Sequence, residues 1–127
     1  MMVNCQKLKK RSDFQNLTHK SQAFKTPAFI LLYATHPEDL FPEHTLRLGY
    51  TATKRSIGGA VKRNRAKRRL RALTDTLMRL NPTFTLPQGI NGADMVLIAR
   101  SRIADVPFDK MQRDLAKALN EIGCKLS

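Results

Sequence analysis

A single long helix is the feature that most constrains the fold of this chain. Apolar residues recur at steps of four, three, four and three, the spacing that lines one face of an α-helix. The members of this stripe are Ala66, Leu70, Leu73, Leu77 and Leu80. Asn81 and Pro82 end the pattern, because proline cannot continue a helix. A helix with one apolar face needs other elements to cover it, so the sequence predicts a helix packed on a larger core.

The opposite face of this helix is cationic. On a helical wheel of about 100° per residue, the residues opposite the leucines are Asn64, Lys67, Arg68 and Arg71. Residues 44–74 hold ten Lys or Arg and no acid, whereas the other thirteen cations share the chain with all ten acids. This stretch therefore supplies ten of the thirteen surplus positive charges.

Such a one-signed surface predicts a polyanionic partner. Like charges three and four residues apart repel, and a surface that serves only solubility mixes both signs. Arginine holds phosphate through two bonds and stacks on bases, and Asn64 offers both a donor and an acceptor. We interpret this face as nucleic-acid-binding, with a solvated amphipathic helix as the alternative. Phe14, Tyr33 and Tyr50 are candidates to stack on unpaired bases if they line one sheet face, and core packing is the alternative for each.

At 127 residues the chain has room for one domain, assigned to residues 1–127. Residues 28–34 and 45–53 are predicted to be strands paired as a hairpin, and residues 94–100 a central strand, because their apolar run does not alternate. Ser12 is predicted to cap a short helix. A last helix buries one face from Phe108 to Ile122 and ends at Gly123. The order of elements predicts a small α/β or α+β sandwich of three to four strands.

Several classes of protein are excluded by composition. No apolar run is long enough to span a bilayer, and no signal peptide is expected at the start of the chain. Cys5 and Cys124 fit neither a disulfide framework nor a metal site, so we expect two reduced thiols and a cytoplasmic location. The histidines lack metal-ligand spacing and acids are sparse. We expect no catalytic residue and no metal ligand in the protein itself.

Four blocks of the sequence resemble the protein subunit of bacterial ribonuclease P. The signature block is residues 62–71, which contains Arg63-Asn64-Arg65, and residues 48–55 with 59–61 precede it in the same context. Residues 8–14 and 95–100 extend the resemblance over most of the chain, in order. A single Arg-Asn-Arg triplet is weak, whereas four matched blocks are specific.

The resemblance implies a fold and a function. The fold is an α/β (α+β) two-layer sandwich, in which helices pack on a small mixed sheet and a left-handed β-α-β crossover surrounds the signature helix. It also implies a further strand around residues 40–53. The function implied is to bind a large catalytic RNA and the 5′ leader of precursor tRNA, and to assist removal of that leader. The RNA carries out the Mg²⁺-dependent hydrolysis, and no obligate protein partner is evident.

The resemblance also implies which residues bind RNA. The expected RNA-binding residues are Arg63, Asn64, Arg65, Lys67, Arg68 and Arg71, together with Lys54 and Arg55. The expected leader-binding cleft contains Phe14 and Tyr33. Many members have a second aromatic residue where this chain has Thr18, and Phe24 is not assumed to replace it. Two other functions stay open at this point: a ribosomal-type protein that binds rRNA, and an independent nuclease.

Overall fold

The computed structural model describes residues 3–8, 22–35 and 45–126. Five strands form one sheet in the order β1-β4-β5-β3-β2. The strands are β1 (Asn4–Lys7), β2 (Gln22–Lys25), β3 (Phe29–Thr35), β4 (Thr45–Thr51) and β5 (Gly92–Ala99). The helices are α1 (Lys54–Ile57), α2 (Ala60–Thr74) and α3 (Phe108–Ile122), with a π-helical turn at Asp75–Arg79 and a 3-10 turn at Ile103–Asp105. The mixed α/β fold class predicted from the sequence is confirmed.

Strand β5 lies at the centre of the sheet, as its apolar run predicts. It is parallel to β4, with Leu46 opposite Ala93, and antiparallel to β3, with Leu31 opposite Leu97. The predicted hairpin between residues 28–34 and 45–53 is therefore wrong, because β5 separates the two strands. The hairpin partner of β3 is β2.

Parallel neighbours β4 and β5 are joined through α1, α2 and the π-helical turn. This is the connection that the resemblance places around the signature helix, and its left-handed sense stays a prediction. On its other side β4 is also parallel to β1. The described part of residues 40–53 contains β4 and no second strand.

Helices α2 and α3 pack on one face of the sheet. Helix α2 contacts β4, β5 and α3. The core between these layers includes Phe29, Leu31, Leu46, Leu70, Leu73, Leu97, Met111, Leu115 and Leu119. Helix α3 ends at Gly123, which adopts a φ of +108° that favours glycine, so its predicted extent is confirmed. None of the described helices has the length and apolar content needed to cross a bilayer.

The apolar stripe of α2 changes register before its predicted end. In the π-helical turn, the amide of Leu80 donates to the carbonyl of Asp75 at 2.8 Å, which accommodates one extra residue per turn. Met78 is consequently buried, with 2% exposure, and Leu80 is 63% exposed. The prediction that Leu80 completes the buried face is wrong for this reason.

The second face of the sheet has a smaller apolar cluster. Leu8 and Val96 are buried there, and Leu32, Ala34 and Ile98 pack against them while partly exposed. The helix predicted to follow Ser12, and with it Phe14, lies outside the described residues.

Candidate nucleic-acid interface

The cationic helix α2 is preceded by the short helix α1, and capping residues define the ends of both. Thr53 is the N-cap of α1, and its Oγ1 accepts a hydrogen bond from the amide of Ser56 at 3.2 Å. Gly58 ends α1 with a φ of +113°, where its amide donates to the carbonyl of Lys54. Helix α2 begins at the next turn, with Gly59 as its N-cap. Gly58 and Gly59 separate α1 from α2, so the two helices follow each other directly in the chain. Both helices carry exposed cations.

The wheel assignment of α2 is confirmed from Ala66 to Leu73, with Asn64, Arg68 and Arg71 exposed and Lys67 half-buried. Ala66, Leu70 and Leu73 are buried against the sheet. The predicted RNA-binding residues divide by exposure: Lys54, Arg55, Asn64, Arg65, Arg68 and Arg71 are exposed, whereas Arg63 and Lys67 are half-buried. Among the described residues, no carboxylate pairs with any of these cations. Within the part of the chain that the structure describes, the face is therefore one-signed in three dimensions as well as in sequence.

Arg69 has a different role from its neighbours on α2. Its Nη2 donates to the carbonyl of Val106 at 2.5 Å and lies 3.1 Å from Sδ of Met111. Its Nε is buried without a hydrogen-bond partner in the described part of the chain. Arg69 thus ties α2 to the start of α3. No pattern in the sequence indicates this contact, because Val106 and Met111 lie 37 and 42 residues further along the chain.

Arg47 also belongs to the acid-free stretch and is not part of the cationic face. Its side chain forms a two-point ion pair with Asp94 across β4 and β5. A charge count along the chain cannot separate such a paired cation from a free one, because its partner lies 47 residues away.

Tyr50 connects the sheet to the C-terminal end of α2. Its hydroxyl lies 2.5 Å from Oγ1 of Thr74, and Cζ of Arg71 lies over its ring, 5.5 Å from the centroid. Burial raises the pKa of Tyr50 above its ordinary value. Of the two stacking candidates that lie within the described residues, Tyr33 and Tyr50, it is Tyr50 that the structure places beside the cationic face.

Tyr33 does not form part of an open stacking surface, so that prediction is wrong. Alternation along β3 turns Phe29, Leu31 and Tyr33 toward the helices, and Tyr33 is only 7% exposed. Burial raises its pKa to about 12. Its neighbour Leu32 lies on the second face instead. Phe14, the other predicted cleft residue, lies outside the described residues, as does Thr18.

Two further pockets are lined by basic residues. One, of about 320 Å³, lies between α2 and the turn after β5 and is lined by Lys62, Arg65, Arg69 and Ser101. The other, of about 440 Å³, is lined by Lys25, Arg100 and Arg102. The sequence did not assign these last three residues. Its only signal was the pair of arginines directly after a strand.

A small α/β protein that presents a one-signed helical face of this kind belongs to the class of nucleic-acid-binding proteins. The comparisons with known proteins specify the family. A family model described as Ribonuclease P matches residues 2–123. The chain belongs to the ribonuclease P protein family. Its role is therefore that of a protein subunit of ribonuclease P, an endoribonuclease complex of tRNA processing, and the ribosomal-type alternative is not favoured.

Individual relatives support the same assignment over nearly the whole chain. The chain is 32% identical over 125 residues to the ribonuclease P protein component of Gluconacetobacter diazotrophicus, covering 98% of this chain and 97% of that one. It is 36% identical over 116 residues to that of Ruegeria pomeroyi, covering 91% and 84%.

Solved structures show the same fold. The RNase P protein from Thermotoga maritima matches with a TM-score of 0.68 at 22% identity, covering 92% of this chain and 97% of that chain. The Staphylococcus aureus RNase P protein matches with a TM-score of 0.64 at 24% identity, covering 91% and 93%. The resemblance identified in the sequence is thereby confirmed.

Proposed function

We propose that the cationic face of α2 binds the catalytic RNA of ribonuclease P, and that this RNA, with Mg²⁺, hydrolyses the precursor tRNA. The observation that carries the proposal is the exposed row of Asn64, Arg65, Arg68 and Arg71, with no carboxylate partner among the described residues. Phosphates of an RNA backbone relieve the repulsion within such a row. The assignment of the chemistry to RNA and Mg²⁺ rests on the family resemblance.

A second part of the proposal concerns the substrate. We infer that the chain contacts the 5′ leader of precursor tRNA on the second face of the sheet. Leu32, Ala34 and Ile98 are partly exposed on that face. Lys25 and Arg100 line the basic pocket at the turn between β2 and β3. Apolar contact with bases and cationic contact with phosphates is a combination suited to a single strand. Phe14 stays a predicted member of this site.

The leader contact is tested by a comparison of two substrates. A precursor tRNA with its leader and the same tRNA without it are titrated against the catalytic RNA, first alone and then with the chain bound. The expected result is that the chain increases the preference for the leader-bearing tRNA. Equal discrimination with and without the chain would eliminate leader binding and leave RNA binding in place.

The assignment of chemistry to the RNA is tested with the separate components. The chain with Mg²⁺ and no RNA is expected to leave precursor tRNA intact. The catalytic RNA with Mg²⁺ is expected to cleave it, and the chain to lower the Mg²⁺ concentration required. Cleavage by the RNA-free chain would overturn this part of the proposal and revive the independent nuclease. The cytoplasmic location expected from the sequence stays a prediction.

A further inference from the structure

A pocket of about 280 Å³ lies where the C-terminal end of α2 meets β1 and β4. The residues that matter for its chemistry are Gln6, Lys7, Tyr50, Arg71, Asp75 and Arg79. The pocket is smaller than the roughly 300–1,000 Å³ typical of drug-sized ligands. It has room for one base-sized group and adjoins the cationic face through Arg71.

The tyrosine in this pocket is held in one orientation. Oγ1 of Thr74 donates to the carbonyl of Arg71 at 3.1 Å, and its single proton is used there. The hydroxyl of Tyr50, 2.5 Å from the same Oγ1, is therefore the donor of the second bond. Burial raises the pKa of Tyr50, which keeps this hydroxyl protonated. The hydrogen bond from the Tyr50 hydroxyl to Thr74 therefore holds the ring in place.

Arg71 is tied to Tyr50 at two points. Thr74 links the Tyr50 hydroxyl to the backbone carbonyl of Arg71. The ring of Tyr50 lies beneath the guanidinium, with 5.5 Å between Cζ and the centroid. Arg71 itself is exposed, so its guanidinium lies over the Tyr50 ring and is also accessible from solvent. A planar guanidinium held this way offers a surface on which an unpaired base stacks.

Polar groups for the rest of a nucleotide surround this surface. Asp75 accepts two hydrogen bonds from Arg79, at 2.8 and 3.2 Å, which fixes both side chains at the pocket. Gln6 contributes an amide that both donates and accepts, and Lys7 contributes a cation. Donors and acceptors of this kind fit the edge of a base, and the cations fit its phosphate.

We propose that this pocket receives one unpaired nucleotide of the RNA bound along α2, with its base against Arg71 and with Tyr50 as the residue that positions Arg71. The proposal rests on the proposed RNA-binding function of α2. It adds a site at which a base, as well as the phosphate backbone, contributes to binding.

The content of Tyr and Trp makes a direct test practical. The chain has two tyrosines and no tryptophan. Tyr33 lies in the core, so Tyr33→Phe leaves Tyr50 as the only tyrosine and its fluorescence as a signal from the pocket. The full chain with this substitution is titrated with oligoadenylate of about twelve nucleotides and with an abasic phosphodiester oligomer of equal length and charge.

Oligoadenylate is expected to bind about tenfold more tightly than the abasic oligomer, the effect of one stacked base. It is also expected to quench Tyr50, whereas the abasic oligomer does not. Arg71→Lys keeps the charge and removes the plane. The quenching of Tyr50 should therefore be lost and the affinity ratio should fall to the part that base contacts on the second face of the sheet supply, while binding of the abasic oligomer is retained. Tyr50→Phe keeps the ring and loses the hydroxyl bond, and it is expected to lower the ratio by about threefold.

Arg113→Lys is the matched control, because Arg113 is exposed on α3 and outside the pocket and the cationic face. It should change neither the ratio nor the quenching. Equal affinities in the parent chain, or a ratio that Arg71→Lys leaves unchanged, would overturn the proposal. Such a result is distinguishable from failure of the proposed function, because the chain would still lower the Mg²⁺ requirement of the catalytic RNA.

Discussion

Arg47 and Asp94 join the two parallel strands at the centre of the sheet through a two-point ion pair. Nε and Nη2 of Arg47 each lie 2.7 Å from a different carboxylate oxygen of Asp94. The side chain of Asp94 is only 4% exposed and that of Arg47 18%. Because β4 leads into α1 and α2, this pair fixes the strand from which the cationic helix extends.

Asp94→Ala is expected to destabilise the protein by about 3 kcal/mol, because it leaves the Arg47 guanidinium largely buried without this partner. Urea unfolding measures the change. Asp114→Ala is the control: it removes a more exposed pair with Lys110 on α3 and should cost less than about 0.5 kcal/mol. Equal losses in the two variants would show that the Arg47–Asp94 pair has no special contribution to the sheet.

The parts of the fold that the sequence predicted are those with a long, regular pattern. The apolar stripe from Ala66 to Leu73 and the buried face of α3 span several turns, so each stripe identifies its helix independently of the others. Strand β5 was identified as central because it is apolar on both faces. The cationic face follows from the first of these stripes.

The parts that the sequence did not predict depend on partners distant in the chain. Strands β1 and β2 have four residues each and are mostly exposed at the sheet edges, so they lack an alternating pattern. The order of strands places β5 between β3 and β4, which no local pattern encodes. Tyr33 was expected in the leader-binding cleft but points toward the helices, whereas its neighbour Leu32 lies on the second face. Successive side chains of a strand point to opposite faces, so an offset of one residue reverses the face.

Adjacent arginines on α2 should behave differently when truncated. Arg68 is exposed, so Arg68→Ala is expected to weaken RNA binding about tenfold with no change in the urea midpoint. Arg69→Ala removes the hydrogen bond to Val106 and the packing on Met111, and should cost about 1.5 kcal/mol of stability. Filter binding and urea unfolding on both variants separate the two roles. A large stability loss in Arg68→Ala would contradict the wheel assignment.

The salt dependence of RNA binding should report the number of phosphates that the cationic face neutralises. The logarithm of the affinity is expected to fall linearly with the logarithm of the salt concentration. Arg65→Ala should reduce the slope by about one, because it removes one exposed cation. Arg113→Ala, on α3, should leave the slope unchanged. A slope that no substitution on α2 alters would place the RNA elsewhere on the protein.

The two thiols should differ in reactivity because they differ in burial. Cys124 is buried and its burial raises its pKa to about 12. Cys5 is half-buried at the pocket beside Arg71. Iodoacetamide in mild alkali is therefore expected to modify Cys5 first and Cys124 only on unfolding, as mass spectrometry of the intact chain and its peptides would show. Equal rates for the two thiols would contradict their positions in the fold.

The buried thiol should also make the protein less stable in alkali. Cys124 ionises in the unfolded chain near its ordinary pKa of 9.0 but stays neutral in the folded protein up to about 12. The unfolded state therefore binds fewer protons between these values, so the free energy of unfolding falls as the pH rises through this window and is unaffected by Cys124 below it. Cys124→Ala should flatten this decline relative to the parent chain, measured by urea unfolding from pH 8 to pH 11. An unchanged decline in Cys124→Ala would show that the thiol is already ionised, or equally protonated, in both states.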